Sequence, residues 1–437
     1  MVKQQSHRSA FILLTVLFFL WGFITVLVDS LIPRLRELFT LTYFQAGMVQ
    51  FAFFGAYFLL SIPAGYILSK IGYKKGIILG LLTMAGGCLL FYPAASYRIF
   101  GIFILAYFIL AVGITILQVA ANPFVAVLGS EAGASSRLNL SQAFNSLGTA
   151  IAPAVGALFI LSDVIKTEGE IALLDASARK AYLASEATAV QTPFIGLAIF
   201  IGVIAFAFMF AKLPQMITND SSGTYLEALK NKKLMLGVLG IFFYVGAEVA
   251  LGSYLVNYFL EMNLASVITE NKFMSKIAES ILTSNITDSD DKAVVGVFVT
   301  FYWSGAMIGR FVGAYLTKII KPGKVLAIFA TTSIVLILIS INTFGLVSMW
   351  SVLAVGLFNS IMFPTIFSLA INGIGHLRPK ASGLLCTAIV GGAIIPPTFG
   401  FLIDVVTFKY ALLLIVMCYV YILWYGYKNG KKQVAIG

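Results

Sequence analysis

The sequence predicts an all-α integral membrane protein: twelve transmembrane helices arranged as two pseudo-symmetric bundles of six. Three observations carry that expectation. The 437 residues are 60% hydrophobic and only 11% charged, with a mean hydropathy of +0.97, whereas a soluble domain carries about 25% charged residues. Apolar runs of roughly 18 residues or more recur along the whole length, each able to cross about 30 Å of hydrocarbon. The second half of the chain also repeats motifs of the first.

The runs lie near 10–33, 44–69, 76–95, 99–128, 140–161, 192–212, 234–260, 293–317, 324–342, 344–374, 382–403 and 408–427. Backbone groups in lipid have to be satisfied within their own segment, so each run is read as a helix. The first, from Ala10 to Val28, is longer than the core of a secretory signal and no small-x-small site follows it, so it is read as a permanent span. Cys88, Cys386 and Cys418 fall within spans, and His7 and His376 lie in or beside loops. No disulfide framework, metal cluster or cofactor is expected from them.

The repeat is visible in four sets of residues. Gly148, Pro153 and Gly156 recur as Gly392, Pro397 and Gly400, shifted by 244. Gly65, Leu68, Lys70 and Ile71 recur as Gly313, Leu316, Lys318 and Ile319, shifted by 248. Pro123 and Arg137 recur as Pro364 and Arg378, shifted by 241, and Phe18, Phe19 and Gly22 as Phe242, Phe243 and Gly246, shifted by 224. The sets join spans 1, 2, 4 and 5 to spans 7, 8, 10 and 11. The expected division is therefore residues 1–212 as one bundle, 213–233 as a polar cytoplasmic linker and 234–437 as the second bundle. An even number of spans per half keeps both halves in the same orientation, and duplication of this kind is a transporter signature.

The net charge of +11 could suggest nucleic acid, but its distribution excludes that partner. With the N-terminus placed inside, nineteen of the 29 lysines and arginines fall on inner segments, Arg310 counted among them, while the long outer loops 162–191 and 262–291 are acidic on balance. That positive-inside pattern puts both termini in the cytoplasm.

Two carboxylates stand inside otherwise apolar spans: Asp29 in the first and Glu248 in the seventh. A charge at the bilayer centre costs about 2.5–3.5 kcal/mol on insertion scales, so such a group is expected to face a cavity and do work there. The plainer reading is a carboxylate satisfied by neighbouring hydroxyls or amides. Polar residues at membrane depth accompany the two acids: Thr25 beside Asp29, Gln118 and Asn122 one turn apart in span 4, Asn139, Gln142 and Asn145 in span 5, Tyr244, Ser253 and Asn257 in span 7, and Asn359 in span 10. Amides both donate and accept, which suits a polyhydroxylated ligand. Trp21, Trp303, Tyr57, Tyr244 and Phe301 could give a sugar an aromatic platform, or serve packing. Gly305, Gly309 and Gly313, four apart, are expected to let a neighbouring helix approach. Prolines 63, 123, 153, 364, 396 and 397 bend their spans, those of spans 4, 5, 10 and 11 either for gating or for packing alone.

Several segments resemble one family. FFLWGFITVLVDSLIPRL and LTYFQAGMVQFAFFGAYFLLSIPAG, then LQVAANPFVAVLG, SSRLNLSQAFNSLGTAIAP, FYVGAEVALGSYLVNY and FPTIFSLAINGIG, are similar to the fucose permease branch of the major facilitator superfamily. The resemblance covers nearly the whole chain and implies that superfamily's twelve-helix, two-bundle fold. Within the branch the chain looks more like the bacterial glucose/galactose permeases. Fucose permease has an acidic residue in the fourth-span LETAANPF, where this chain has Gln118, and glutamine in the seventh-span YVGAQ, where this chain has Glu248. The acid has in effect moved from one bundle to the other. Asp29 matches the family's first-span aspartate, and Gln142 and Asn145 its fifth-span amides.

The combined expectation is a secondary active transporter, not an enzyme: a hexose importer, glucose or galactose first, coupled to a proton or to sodium and working by alternating access. Asp29 is the first candidate for the coupling carboxylate, and an oxygen ligand if the cation is sodium. Gln118, Asn122, Gln142, Asn145, Tyr244, Asn257, Asn359 and Trp21 are the candidate sugar contacts, and Glu248 serves either sugar or ion. The partners are then the hexose, the cation and membrane lipid, with a monomer favoured and the bacterial inner membrane as location. A fucose:proton symporter and a multidrug or organic-solute exporter of the same fold are the alternatives. The amide stacks of spans 4 and 5 speak against the exporter. The chain lacks a Ser/His/Asp set, metal-ligand spacing and a phosphate-cradling glycine loop.

Overall fold

The computed structural model describes residues 2–29, 43–160, 173–214, 223–282, 286 and 289–432, with some side chains inside helices, Asp29 among them, outside that description. The described residues form helices α1 (Val2–Asp29), α2 (Tyr43–Tyr97), α3 (Phe100–Val127), α4 (Ala134–Ile160), α5 (Ala176–Phe210), α6 (Tyr225–Lys230), α7 (Lys232–Glu261), α8 (Leu264–Glu270), α9 (Lys272–Leu282), α10 (Asp291–Gly296), α11 (Val299–Ile319), α12 (Pro322–Asn342), α13 (Gly345–Asn359), α14 (Met362–Ile371), α15 (Arg378–Thr387), α16 (Gly391–Val405) and α17 (Phe408–Lys432).

Ten described stretches are long and apolar enough to span a bilayer. One of them, Phe51–Tyr97, holds two predicted spans, turned at Gly72. There φ is +82°, a backbone region that favours glycine. The predicted fifth span is α4, whose first half carries Ser135, Arg137, Asn139, Ser141 and Gln142; the side chains of its apolar end lie largely outside the described residues, and it is not among the ten. These account for the twelve spans read from the sequence.

Two predicted spans are broken helices. The run 344–374 divides into α13 and α14 around Ser360, and the run 382–403 into α15 and α16 with a tight turn at Ala388–Val390 between them. Pro364 explains the first break: it has no N–H to give the carbonyl of Ser360, four residues back. Arg310 Nε donates to that oxygen instead, at 3.3 Å. Pro123 is its repeat mate, and it leaves Val119 O in the same state. Here the Ser382 hydroxyl donates at 2.7 Å. Ser382→Ala should strip that partner from a buried carbonyl and lower stability by about 1–3 kcal/mol, read as a lower unfolding midpoint in detergent. An unchanged midpoint would mean that water already reaches the oxygen.

The chain forms two compact units. One holds residues 1–129, 144–228 and 373–387; the other holds 130–143, 229–372 and 388–437. Each unit thus includes one short stretch from the opposite half of the sequence. In the first unit, α15 lies against α2 so tightly that a Cβ on Gly65 would stand 2.8 Å from Pro379 O, and one on Gly383 2.6 Å from Ser61 O. In the second, the start of α4 is bonded to α11 and α14: Ser136 Oγ donates to Ala314 O at 2.7 Å, Ser135 and Ser368 share a hydroxyl bond of 2.5 Å, and Asn139 Nδ2 donates to Thr365 Oγ1 at 3.2 Å. The repeat relates Gly65 to Gly313, which faces Asn139, so the two crossings occupy equivalent places in the duplicated sequence.

Small residues set the close helix pairs, since lipid offers no hydrophobic drive to hold helices together. Cβ atoms on Gly80 and Gly87 of α2 would meet the α3 backbone at Leu117 N and Leu110 N, 2.8 and 2.5 Å away. Gly305 and Gly309 of α11 lie against Leu357 of α13, and Gly313 against Ile361. Before α5, Asp175 caps the helix, accepting from Ser177 N and Ala178 N at 2.8 Å. These bonds, the one from Ala178 first, hold its carboxyl below its ordinary value. Its capping contribution is therefore present at neutral pH and fades as pH falls through that lowered value.

Candidate functional site

Most of the predicted site residues fall into two clusters, one in each unit, while Gln142 and Asn257 stand apart from both. In the first, α1 and α4 cross at glycines: a Cβ on Gly22 or Gly148 would collide with backbone carbonyls of Asn145 and Phe19. At this crossing Asn145 Nδ2 donates to Phe18 O at 2.9 Å, so one of its N–H groups is committed to joining helices. Trp21 is buried with its ring edge-on to Phe18, centroids 5.4 Å apart, and Thr25 returns its hydroxyl to Trp21 O at 2.9 Å. On α3, Gln118 and Asn122 are both buried. Tyr57 of α2 donates to Gln118 Oε1 at 2.6 Å, which leaves the Gln118 NH₂ as donor. Gln142, on α4 and grouped with the second unit, is also buried. Asp29 is the last residue of α1; its side chain lies outside the described residues.

The second cluster surrounds Glu248 on α7. Its Oε1 lies 3.7 Å from Arg310 Nη2 on α11, and the two side chains are 14% and 15% exposed. Tyr244, one turn before Glu248, is buried. Asn359, at the end of α13, is fully buried, and its Nδ2 donates to the hydroxyls of Tyr302 (2.6 Å) and Tyr419 (3.3 Å). Tyr244 Oη, Glu248 Oε1 and Asn359 Oδ1 are buried with no hydrogen-bond partner. Buried polar atoms are nearly always bonded, so this cluster is a candidate site for a ligand with hydroxyl groups.

Asn257 does not join them. It lines a separate pocket of about 650 Å³ at the far end of α7, with Tyr254, Glu261, Gly400, Asp404 and Phe408. Nine residues from Glu248 is about 13.5 Å along a helix and half a turn around it.

The sequence pattern of the Major Facilitator Superfamily matches residues 9–384. This chain belongs to the Major Facilitator Superfamily. The glucose/galactose transporter of Brucella abortus (strain 9-941) is 44% identical over 433 residues, covering 98% of this chain and 96% of that protein. The L-fucose-proton symporter of Escherichia coli K12 is 36% identical over 412 residues, 92% and 88% of the two chains. The crystal structure of the superfamily transporter FucP in the outward conformation matches with a TM-score of 0.85 at 34% identity, over 97% of this chain and 99% of that one. The proton:xylose symporter XylE, at 12% identity and a TM-score of 0.66, shares the fold.

As a member of the superfamily the chain is a multi-pass membrane transporter and not an enzyme. The sequence reading missed three residues of its second cluster. Arg310 was counted with the inner-loop cations, yet it sits within α11, partly buried and paired with Glu248. The signal was present: Arg310 falls inside the predicted span 293–317, and a cation at that depth calls for a carboxylate partner. Tyr302 and Tyr419 carried no such signal, because an aromatic in a span is ordinarily a packing residue.

Proposed function

We propose that the chain is a cation-coupled hexose importer, with glucose and galactose as substrates, working by alternating access between two six-span bundles, 1–212 and 234–437, joined by 213–233. The observation that carries this reading is the set of unanswered buried atoms around Glu248: a carboxylate oxygen, a phenol and an amide oxygen, together able to bind several sugar hydroxyls. Gln118, which accepts from Tyr57, and Asn122 are the proposed sugar contacts of the first unit. Asp29 carries the coupling cation, a proton or sodium. The full-length similarity to a protein named a glucose/galactose transporter, closer than that to the fucose symporter, favours those hexoses over fucose. Gln118, where fucose permease has an acid, points the same way. Both termini lie in the cytoplasm of a bacterium, its inner membrane holding the protein.

The test is uptake into proteoliposomes with a sugar panel under separate proton and sodium gradients. Glucose and galactose should accumulate uphill under one gradient, with fucose well behind. Preferential fucose uptake under a proton gradient would favour the symporter alternative. A second measurement addresses Glu248. A hydrogen bond to a charged group contributes about 1.5–3 kcal/mol against about 1 for a neutral one, so Glu248→Gln should raise the calorimetric Kd for glucose about tenfold. Asp29→Asn should raise it less. Equal binding by wild type and Glu248→Gln would remove Glu248 from the sugar site.

A further inference from the structure

The pocket at the C-terminal end of α7, about 650 Å³ in volume, belongs wholly to the second unit and is not used by the cluster around Glu248. Cavities that hold small molecules span about 300–1,000 Å³. The sequence builds this one from the ends of two spans. Tyr254, Asn257 and Glu261 follow at steps of three and four and so share one face of α7, and Phe401 and Asp404, three apart, share a face of α16. A Cβ on Gly400 would collide with the Tyr254 hydroxyl, so a glycine is what lets the phenol lie against α16. Phe408, buried at the start of α17, sets its ring edge-on to Tyr254. Four polar side chains therefore line the pocket: Tyr254, Asn257, Glu261 and Asp404. Among the described residues none of the four makes a hydrogen bond or an ion pair, and no lysine, arginine or histidine lines the pocket. Asn257, Glu261 and Asp404 are exposed, so water satisfies them and a ligand can replace it.

We propose that this pocket is a second hexose site, separate from the one at Glu248. The inference rests on the hexose reading above. The lining selects the ligand class. Two carboxylates and a carboxamide accept from and donate to neighbouring hydroxyls of one sugar ring, while Phe401, 65% exposed, and Tyr254 offer ring faces to its C–H side. A bare metal cation is held by a close shell of oxygens about 2–2.6 Å away, and it would gain nothing from Pro397, Phe401 and Ile403 in the same wall. In the topology proposed above, α7 starts at the cytoplasmic linker, so its far end opens outward and sugar meets this pocket before Glu248. Asn257 keeps a sugar-binding role, at another place than the sequence suggested. Exposed groups trade water for sugar at little net gain. Binding is therefore weak and release fast, as first capture requires.

Equilibrium binding of labelled glucose to the full chain in nanodiscs, over a wide concentration range, tests this. Two classes of site are expected, the weaker with a Kd roughly a hundredfold above the tighter. The triple variant Asn257→Ala/Glu261→Gln/Asp404→Asn should lose the weak class and keep the tight one. Glu248→Gln should move the tight class alone. Phe401→Ala should weaken the weak class several-fold, and Phe401→Trp, which keeps a ring face, should preserve it. The changed side chains are exposed, so each variant should keep the wild-type unfolding midpoint. One class of site in the wild type, or a weak class that survives in the triple variant, would overturn the inference and leave the hexose reading standing. So would displacement of the weakly bound glucose by tetramethylammonium at lower concentration than by galactose, because carboxylates and rings would then be serving an organic cation. Absence of hexose binding in both classes, with no uptake under either gradient, would overturn the hexose reading and this inference with it.

Discussion

Asp29→Asn should abolish uphill accumulation of sugar while leaving exchange of labelled for unlabelled sugar intact. The argument is electrostatic. A carboxylate in a span is costly when charged and cheap when neutralised by a proton or a bound cation. If that carboxylate carries the coupling, the loaded carrier crosses only after the cation has arrived. Asparagine is neutral in every state, so the crossing no longer waits. A potential of 100 mV is worth about 2.3 kcal/mol per charge moved, enough to support roughly a fiftyfold gradient of sugar at one cation per sugar. In Asp29→Asn vesicles that ratio should fall to unity, with counterflow near the wild-type rate. Full accumulation by the variant would take the coupling role away from Asp29.

Gly309→Ala should cost about 3 kcal/mol or more, the upper end of what overpacking does. The added methyl would collide with Leu357 O and the Ser360 hydroxyl, and a backbone oxygen cannot rotate aside. Gly356 on the facing helix is in the same position, with Tyr302 O in the way of any Cβ. Either alanine therefore has to push α11 away from α13. The expected result is a lower unfolding midpoint in detergent for each, and strong non-additivity in the double variant, since one separation relieves both clashes. The shift would also draw Arg310 from Ser360 and so disturb Glu248, so glucose affinity should fall together with stability. A Gly309→Ala protein with the wild-type midpoint would show that this crossing is looser than described.

The fold was readable because lipid imposes a simple grammar: apolar runs of fixed length, cations on one side and small residues where helices touch. Gly305, Gly309 and Gly313 were read as packing glycines, and they are. The repeat pointed to Pro123 and Pro364 as mates, but pattern alone does not reveal which distant groups answer the carbonyls they leave, because Ser382 and Arg310 arrive from elsewhere in the fold. At the site, the residues brought together as expected are Tyr244, Glu248 and Asn359. Asn257 was grouped with them by sequence nearness, although helical periodicity already turns it to the other face. Asn145 was expected to hold sugar because it is an amide at depth; its neighbour Gly22 brings the α1 backbone within reach and engages that amide first. Arg310 was misassigned because a charge near the end of a span reads as topology unless its depth is weighed.

The stripped carbonyl of Val119 has a further consequence. Ser382 answers it from a stretch lying far along the chain, in the half opposite to α3 in sequence. If the working cycle draws that stretch away, the oxygen loses its only described donor, and nothing apolar can take the hydroxyl's place. Solvent has to enter at that atom. A cycle of that kind would depend on water activity, and a dehydrating osmolyte would slow it.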